Sequence, residues 1–505
     1  MPDDGGRPVG LAKEPTGIPG LDTITLGGLP KARTTLVTGT AGSAKTVFAA
    51  QFLAEGIRRG VPGVFVSFEE TPEDIRNNMR GLGWEIDAWE DEGKWAFVDA
   101  SPRPEETFIA GRYDLGALLV RIENAVERVG ASRAAIDSIG AIFMQFSDTA
   151  VIRQVLLRIN VAFKRLGVTA IMTAESVTDY GEVSRFGVEE FVADNVIILR
   201  NILEDEKRRR TIETLKFRGT SHQKGEYPFT VIPGEGIVVI PLSAMELKQG
   251  STNVRIPSGN ENLDEMCGGG FLRDSIVLVT GATGCGKTLM ATEFMAGGAR
   301  EGERCMLFAF EESREQLFRN ANGWGVEFGQ MERDGLLRID CMYPEVASLE
   351  DHLVRMRRAI EEFEPDRIAV DSLSALERVS TVKSYREFVL GLTCSVKQLQ
   401  VGALFTATTP SLLGGTSVTD AHISTITDAI ILLRYVEVLG EMRRGVAVLK
   451  MRGSMHEKEI REFRIDAEGM HIGNAFRNVT GILSGSPQQY VPYGDLKRAD
   501  RMFTG

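Results

Sequence analysis

The chain repeats itself. Residues 39–46 read G-T-A-G-S-A-K-T and residues 281–288 read G-A-T-G-C-G-K-T, so Lys45 and Lys287 stand 242 positions apart (287 − 45) in a chain of 505. The match continues in register. The pairs Glu69-Glu70 and Glu311-Glu312 each begin 24 residues after the lysine and close the apolar runs V-F-V-S-F and M-L-F-A-F. A-A-I-D-S around Asp137 is answered by I-A-V-D-S around Asp371. L-K-F-R-G-T-S-H and L-K-M-R-G-S-M-H then place Arg218 and Arg452 each 81 residues beyond the aspartate. The period is too long for a solenoid unit and describes two copies of one domain. In each copy apolar runs alternate with amphipathic segments: strand T-T-L-V-T-G, glycine-rich loop, a helix from Thr46 through Gly56, then buried strands V-F-V-S-F and A-A-I-D. That alternation predicts an α/β fold, each copy a mostly parallel twisted sheet flanked by helices. Residues 204–218 read as a late antiparallel hairpin at the sheet edge. The expected organisation is a flexible leader at 1–15, a first domain at 16–247, a second at 248–487 and a tail at 488–505.

Composition narrows the class. With 43% apolar and 25% charged residues the chain reads as a soluble globular protein, and a net charge of −12 argues against a nucleic-acid partner, which cationic groups would hold. The N-terminus has neither a basic nor an apolar stretch, and runs such as Val196–Leu199 are too short to cross a bilayer, so no membrane partner is expected. Cys267, Cys285, Cys305, Cys341 and Cys394 form no C-x-x-C pair, which suits a reducing, cytoplasmic setting.

The second loop fits G-x-x-x-x-G-K-[ST] completely. Its backbone, from Thr283 and Gly284 through Cys285, Gly286 and Leu289, is suited to cradle phosphates, with Lys287 on the β and γ phosphates and Thr288 on Mg²⁺. The first loop (Gly39, Thr40, Ala41, Gly42, Ser43, Ala44, Lys45, Thr46) departs at Ala44, where the pattern has glycine. Nucleotide binding with altered affinity is expected there. Asp137 and Asp371, at strand ends, are placed to hold Mg²⁺. Adjacent carboxylates at a strand end repel one another unless a cation or reacting group is near. Glu69 and Glu311 are therefore the candidate general bases, with Glu70 and Glu312 beside them and Glu311 close enough to reach the metal. Arg210 and Arg444, each six residues before Lys216 and Lys450, are grouped with Arg218, Arg452, His222 and His456 as a late cationic cluster. Because each copy already has its loop lysine, the cluster is most useful at a neighbour's nucleotide, which implies a ring. Cys285, near a helix N-terminus, is expected to carry a lowered thiol pKa and to react readily in the nucleotide-free protein.

The copies differ at one place. Ser424-Thr425 of the second stand opposite Glu190-Phe191 of the first, in T-D-A-H-I-S-T-I-T-D. Such segments are usually caps or loops. A carboxylate opposite Ser424 nevertheless hints that negative charge, as on a phosphate, is accepted there.

T-G-I-P-G-L-D, G-T-A-G-S-A-K-T, F-E-E-T-P, D-A-H-I-S-T-I-T-D and K-M-R-G-S-M-H-E-K together resemble the KaiC family of circadian-clock ATPases and autokinases, over roughly residues 14–487. The resemblance implies two tandem RecA-like P-loop NTPase domains and a double-ring homohexamer binding ATP and Mg²⁺ at subunit interfaces. It implies slow hydrolysis in the first ring and reversible phosphoryl transfer to Ser424 and Thr425 of the adjacent subunit in the second. Glu69 becomes the base for water and Glu311 the base for those hydroxyls. Lys216, Phe217, Arg218, Thr220 and His222 match the family's first nucleotide site. Trp324, Arg444, Lys450, Met451, Arg452, Ser454, His456 and Lys458 match the second. Gly81 stands where the family often has a serine. Residues 102–118 resemble the region that meets KaiB, so a KaiB-like partner is implied. The tail after Pro487 is short and unlike the one that recruits KaiA, so a KaiA partner is not. From the residues alone a RecA/DnaB-like DNA-dependent motor is the competing reading, and a scaffold with purely structural nucleotides a third.

Overall fold

The computed structural model describes residues 11–100, 115–143, 148–181, 183–184, 189–204, 207–241, 250–409, 426–438, 440–477, 479–482 and 488–489. The chain divides into two compact units, Met1–Met245 and Glu246–Gly505.

The sheet of the first unit comprises β1 (Thr34–Gly39), β2 (Gly63–Ser67), β3 (Trp95–Asp99), β4 (Arg133–Asp137), β5 (Thr169–Glu175), β6 (Asn195–Glu204), β7 (Lys207–Phe217), β8 (Glu226–Ile232) and β9 (Gly236–Val239), in the order β9-β8-β7-β6-β1-β5-β4-β2-β3. The run from β6 to β3 is parallel and the rest is an antiparallel meander. The second unit repeats this with β10 (Ile276–Gly281), β11 (Cys305–Ala309), β12 (Leu337–Cys341), β13 (Arg367–Asp371), β14 (Gly402–Thr408), β15 (Ala429–Val438), β16 (Glu441–Met451), β17 (Arg461–Asp466) and β18 (Gly469–Ala475). Its order, β18-β17-β16-β15-β10-β14-β13-β11-β12, is the first sheet's shifted by nine.

The central strands are buried along their length, as parallel strands covered on both faces must be. Alternation along β1 sends Leu36 to one core and Val37 to the other. The Val37 side packs under helix α1 (Lys45–Arg58) through Phe48 and Phe52. The Leu36 side packs under α2 (Leu115–Val129) and α3 (Thr149–Leu166). Helix α4 (Lys287–Arg300) covers β10 as α1 covers β1.

Two expectations change. The 204–218 hairpin forms as β6 and β7, yet it lies inside the sheet, because β8 and β9 extend the meander beyond it. The leader is ordered at its end: Lys13–Glu14 pairs with Leu29–Pro30, and Glu14 lies 3.4 Å from the buried guanidinium of Arg133. That ion pair gives residues 13–14 a reason to dock that their composition does not show. Among the described residues no helix is long and apolar enough to cross a membrane.

Candidate nucleotide sites

Each phosphate loop joins the central strand to a helix that begins without a side-chain cap and without an acidic residue in its first turn. The first N–H groups of α1 and α4 are thus left for an anion. Lys45 Nζ donates to the carbonyls of Gly39 (2.9 Å) and Thr40 (3.1 Å), and Lys287 Nζ to those of Gly281 (3.0 Å) and Ala282 (2.9 Å). Burial pushes the Lys45 ammonium below its ordinary value, against the pull of Glu175, Asp137 and Glu69. Ala44 and Gly286 both occupy the left-handed region, at φ 71° and 109°. The departure at Ala44 therefore acts first on the backbone, costing an L-residue about 1–2 kcal/mol. In the second loop a Cβ at Gly286 would lie 3.0 Å from Ile465 Cδ1 and 3.3 Å from Met470 Cε, whereas Ala44 packs against its own core. Thr283 and Gly284, like Ala41 and Gly42, are exposed. Leu289 is a core side chain, so only its backbone can serve a ligand.

Cys285 corrects an expectation. Its side chain is fully buried, and that burial raises the thiol pKa, outweighing the lowering by Lys287. The thiol belongs to the second unit's core, and burial together with a raised pKa disfavours the reactive thiolate. Ser43 takes the same place in the first loop, its Oγ buried with no hydrogen-bond partner among the described residues.

Both strand-end aspartates are bonded from the neighbouring strand, Asp137 by Thr173 Oγ1 and Asp371 by Thr406 Oγ1. Asp371 is buried and also accepts from Thr288. Burial and the nearby Glu311 raise its pKa, against those bonds and Lys287. A buried carboxylate against the Thr288 hydroxyl is a hard-oxygen donor set of the kind Mg²⁺ takes. The glutamates differ in their partners. Glu69 Oε1 accepts from Ser138 Oγ at 2.6 Å. Glu311 accepts from Ser372 Oγ at 3.1 Å and pairs with Arg378 at 2.5 Å. Glu70 and Glu312 are held by Asn78 (2.8 Å) and Asn320 (3.0 Å). Burial raises the pKa of both, with Asp137 and Asp371 adding to it.

The late cations do not form one cluster. Arg210 Nε donates to the carbonyl of Gly42 in its own phosphate loop at 3.2 Å, and Arg444 acts electrostatically on Cys285 of its own loop. Lys216 and Arg218 lie at the other end of β7. Phe217 pairs with Asn195 and Asn195 with Thr35 at the start of β1, roughly 16 Å of strand from the loop at about 3.3 Å per residue. There Lys216 Nζ donates to the carbonyls of Glu190 and Ala193, both at 2.9 Å, and Arg218 Nη2 to that of Phe191 at 3.1 Å. In the second unit Lys450 Nζ donates to the carbonyl of Thr427 at 2.6 Å, and Arg452 lies 3.7 Å from Asp428. Phe217 is buried against the ring of His222, and Arg255 bonds Ser454 Oγ. Thr220 and His456 are half-buried, Lys458 is exposed, and Trp324 and Met451 pack against the second core. Gly81 has room for a side chain, its nearest neighbour being the Asn78 carbonyl at 3.7 Å.

Ser424 and Thr425 lie outside the described residues, as do residues 102–114. Their first-copy counterparts are described: Glu190 accepts from Ser184 Oγ at 2.6 Å, and Phe191 is exposed. The sequence reading missed Glu175, although the contrast of A-E-S in one copy with A-T-T in the other was there to find.

The fold and the two loops define a tandem RecA-like P-loop NTPase. The family model described as "ATPase: KaiC" matches residues 14–244 and again 256–476. The chain is 65% identical over 495 residues to a circadian clock protein KaiC3 of Synechocystis sp., covering 98% of each chain. It is 54% identical over 478 residues to the circadian clock oscillator protein KaiC of Thermostichus vulcanus, covering 94% of this chain and 92% of that one. To the circadian clock oscillator protein KaiC 1 of Synechocystis sp. it is 53% identical over 479 residues, covering 95% and 92%. The chain belongs to the KaiC ATPase family, which implies nucleotide binding.

Proposed function

We propose that the protein is an ATP-assembled homohexamer in a timing or signalling system. Its first copy hydrolyses ATP slowly, and its second moves the γ-phosphate to Ser424 and Thr425 of the adjacent subunit and back. The observation that carries this reading is the separation of Lys216–Arg218 and Lys450–Arg452 from the loops of their own domains. Cations too far to serve their own nucleotide suit a neighbour's, so a site is complete only between subunits. Thr288 with Asp371, and Thr46 with Asp137, are the residues that would hold Mg²⁺, which would supply positive charge to the nucleotide's phosphates.

In the second copy Glu311 takes the proton of the acceptor hydroxyl as its oxygen bonds to the γ-phosphorus. The bond to the β–γ bridging oxygen breaks, and ADP leaves with the electron pair. In the first copy Glu69 takes a proton from water. Neither Glu190 nor Phe191 offers a hydroxyl to compete. A KaiB-like partner is proposed for residues 102–118, on sequence resemblance. Size exclusion and ATP consumption with Mg-ATP, across a range of protein concentrations, test the shared site. Assembly that needs ATP, and specific activity that rises with assembly, are expected. A monomer with full specific activity would contradict the proposal.

A further inference from the structure

The two sites differ at the strand beside the loop. β5 lies between β1, which carries the loop, and β4, which ends at Asp137. Its parallel register sets Glu175 opposite Gly39, and Ser176 N donates to the Gly39 carbonyl at 3.1 Å, the same carbonyl that receives Lys45 Nζ. Glu175 is thus fixed at the carboxyl end of the central strands, the edge where open α/β sheets bind ligands. It is exposed there. Among the acidic groups acting on Lys45 it is the strongest, ahead of Asp137 and Glu69. In the second copy the frame is the same, Thr409 N donating to the Gly281 carbonyl at 3.1 Å. The residue opposite Gly281, however, is Thr408. One carboxylate has become a neutral hydroxyl.

We propose that Glu175 positions the attacking water of the first site, and that Thr408 at the matching place favours a protein hydroxyl as acceptor in the second. This deepens the proposed ATPase and autokinase reading and rests on it. Water brings two O–H groups to the γ-phosphate and is fixed best by two acceptors, whereas a Ser or Thr hydroxyl brings one. One water proton passes to Glu69 while the other O–H donates to Glu175. The water oxygen bonds to the γ-phosphorus as the bond to the β–γ bridging oxygen breaks. That oxygen leaves on ADP with the electron pair, and the proton on Glu69 departs to solvent. In the second site Glu311 takes the single hydroxyl proton and no second anionic acceptor is needed. Thr408, a donor, can face a phosphate oxygen.

The test is made in the full chain carrying Lys287→Ala, so that the first site dominates ATP consumption. Glu175→Thr is expected to lower kcat about tenfold or more with KM held within about twofold. Glu175→Gln, which keeps a carbonyl acceptor, retains more activity. With Lys287 intact, Thr408→Glu shifts ATP use from phosphoprotein towards free phosphate. An unchanged kcat with an altered KM in Glu175→Thr would mean that Glu175 only pairs with Lys45, and would overturn the inference. A Lys287→Ala chain that consumes no ATP before Glu175 is touched overturns the ATPase reading itself, and this inference with it.

Discussion

Ala44 puts a methyl group at a left-handed position where the second loop has glycine. Held at φ 71°, it carries strain that glycine does not. Ala44→Gly is expected to stabilise the first unit by about 0.5 kcal/mol, the relief being partly offset by the greater freedom of glycine in the unfolded chain. Gly286→Ala adds left-handed strain to close contacts with Ile465 and Met470, and is expected to cost about 1–3 kcal/mol. Denaturant unfolding of both variants checks the opposite signs. The carboxylates give a pH prediction. Asp371 and Glu312 have raised pKa values, so they take up protons at higher pH than exposed carboxylates do. The ionised forms suit Mg²⁺, so Mg-ATP binding at the second site should weaken as pH falls through those raised values. Glu311 helps raise Asp371, so Glu311→Gln should move this acid limb to lower pH. Titration of a fluorescent ATP analogue in Lys45→Ala protein reads the shift. An unmoved limb would exclude Asp371 as the titrating group.

At the scale of elements, the hairpin β6–β7 carries two sets of cations at its two ends. Arg210 is bonded to its own loop, and Arg218 lies beyond the far end of the sheet. Arg210→Ala should therefore weaken nucleotide binding in dilute, dissociated protein. Arg218→Ala should leave that binding intact and lower ATP consumption only in the assembled state. Nucleotide affinity below and above the assembly concentration separates the two. The parallel core, the loops and the strand-end aspartates were legible in the sequence because each rests on a local pattern: a buried apolar run, a glycine spacing, a repeat in register. The split of the cations was not. A step of six positions from Arg210 to Lys216 looks like proximity, but along an extended strand it is a distance. Cys285 misled for a related reason. Its place near a helix N-terminus is readable, whereas its burial belongs to a core that also gathers residues distant in sequence, such as Phe463 and Met470. Glu175 was hidden because its importance comes from register with Gly39 and from no motif.

For the whole molecule, the proposed function gives two copies of one frame different acceptors. If nucleotide in the first copy holds the assembly, Lys45→Ala should weaken hexamers more than Lys287→Ala does. Size exclusion of both variants with ATP would show it, and an intact Lys45→Ala hexamer with an empty first site would contradict it. The central claim is that the duplicated machinery spends ATP on water in the first copy and on Ser424 and Thr425 in the second. Phosphosite mapping by mass spectrometry, on wild type and on Ser424→Ala/Thr425→Ala protein after incubation with Mg-ATP, tests it most directly. The account predicts phosphate on Ser424 and Thr425 in wild type and none that is stable in the double variant, with first-copy ATP hydrolysis retained. Abundant phosphate on the double variant, or sites concentrated in the first copy, would contradict it.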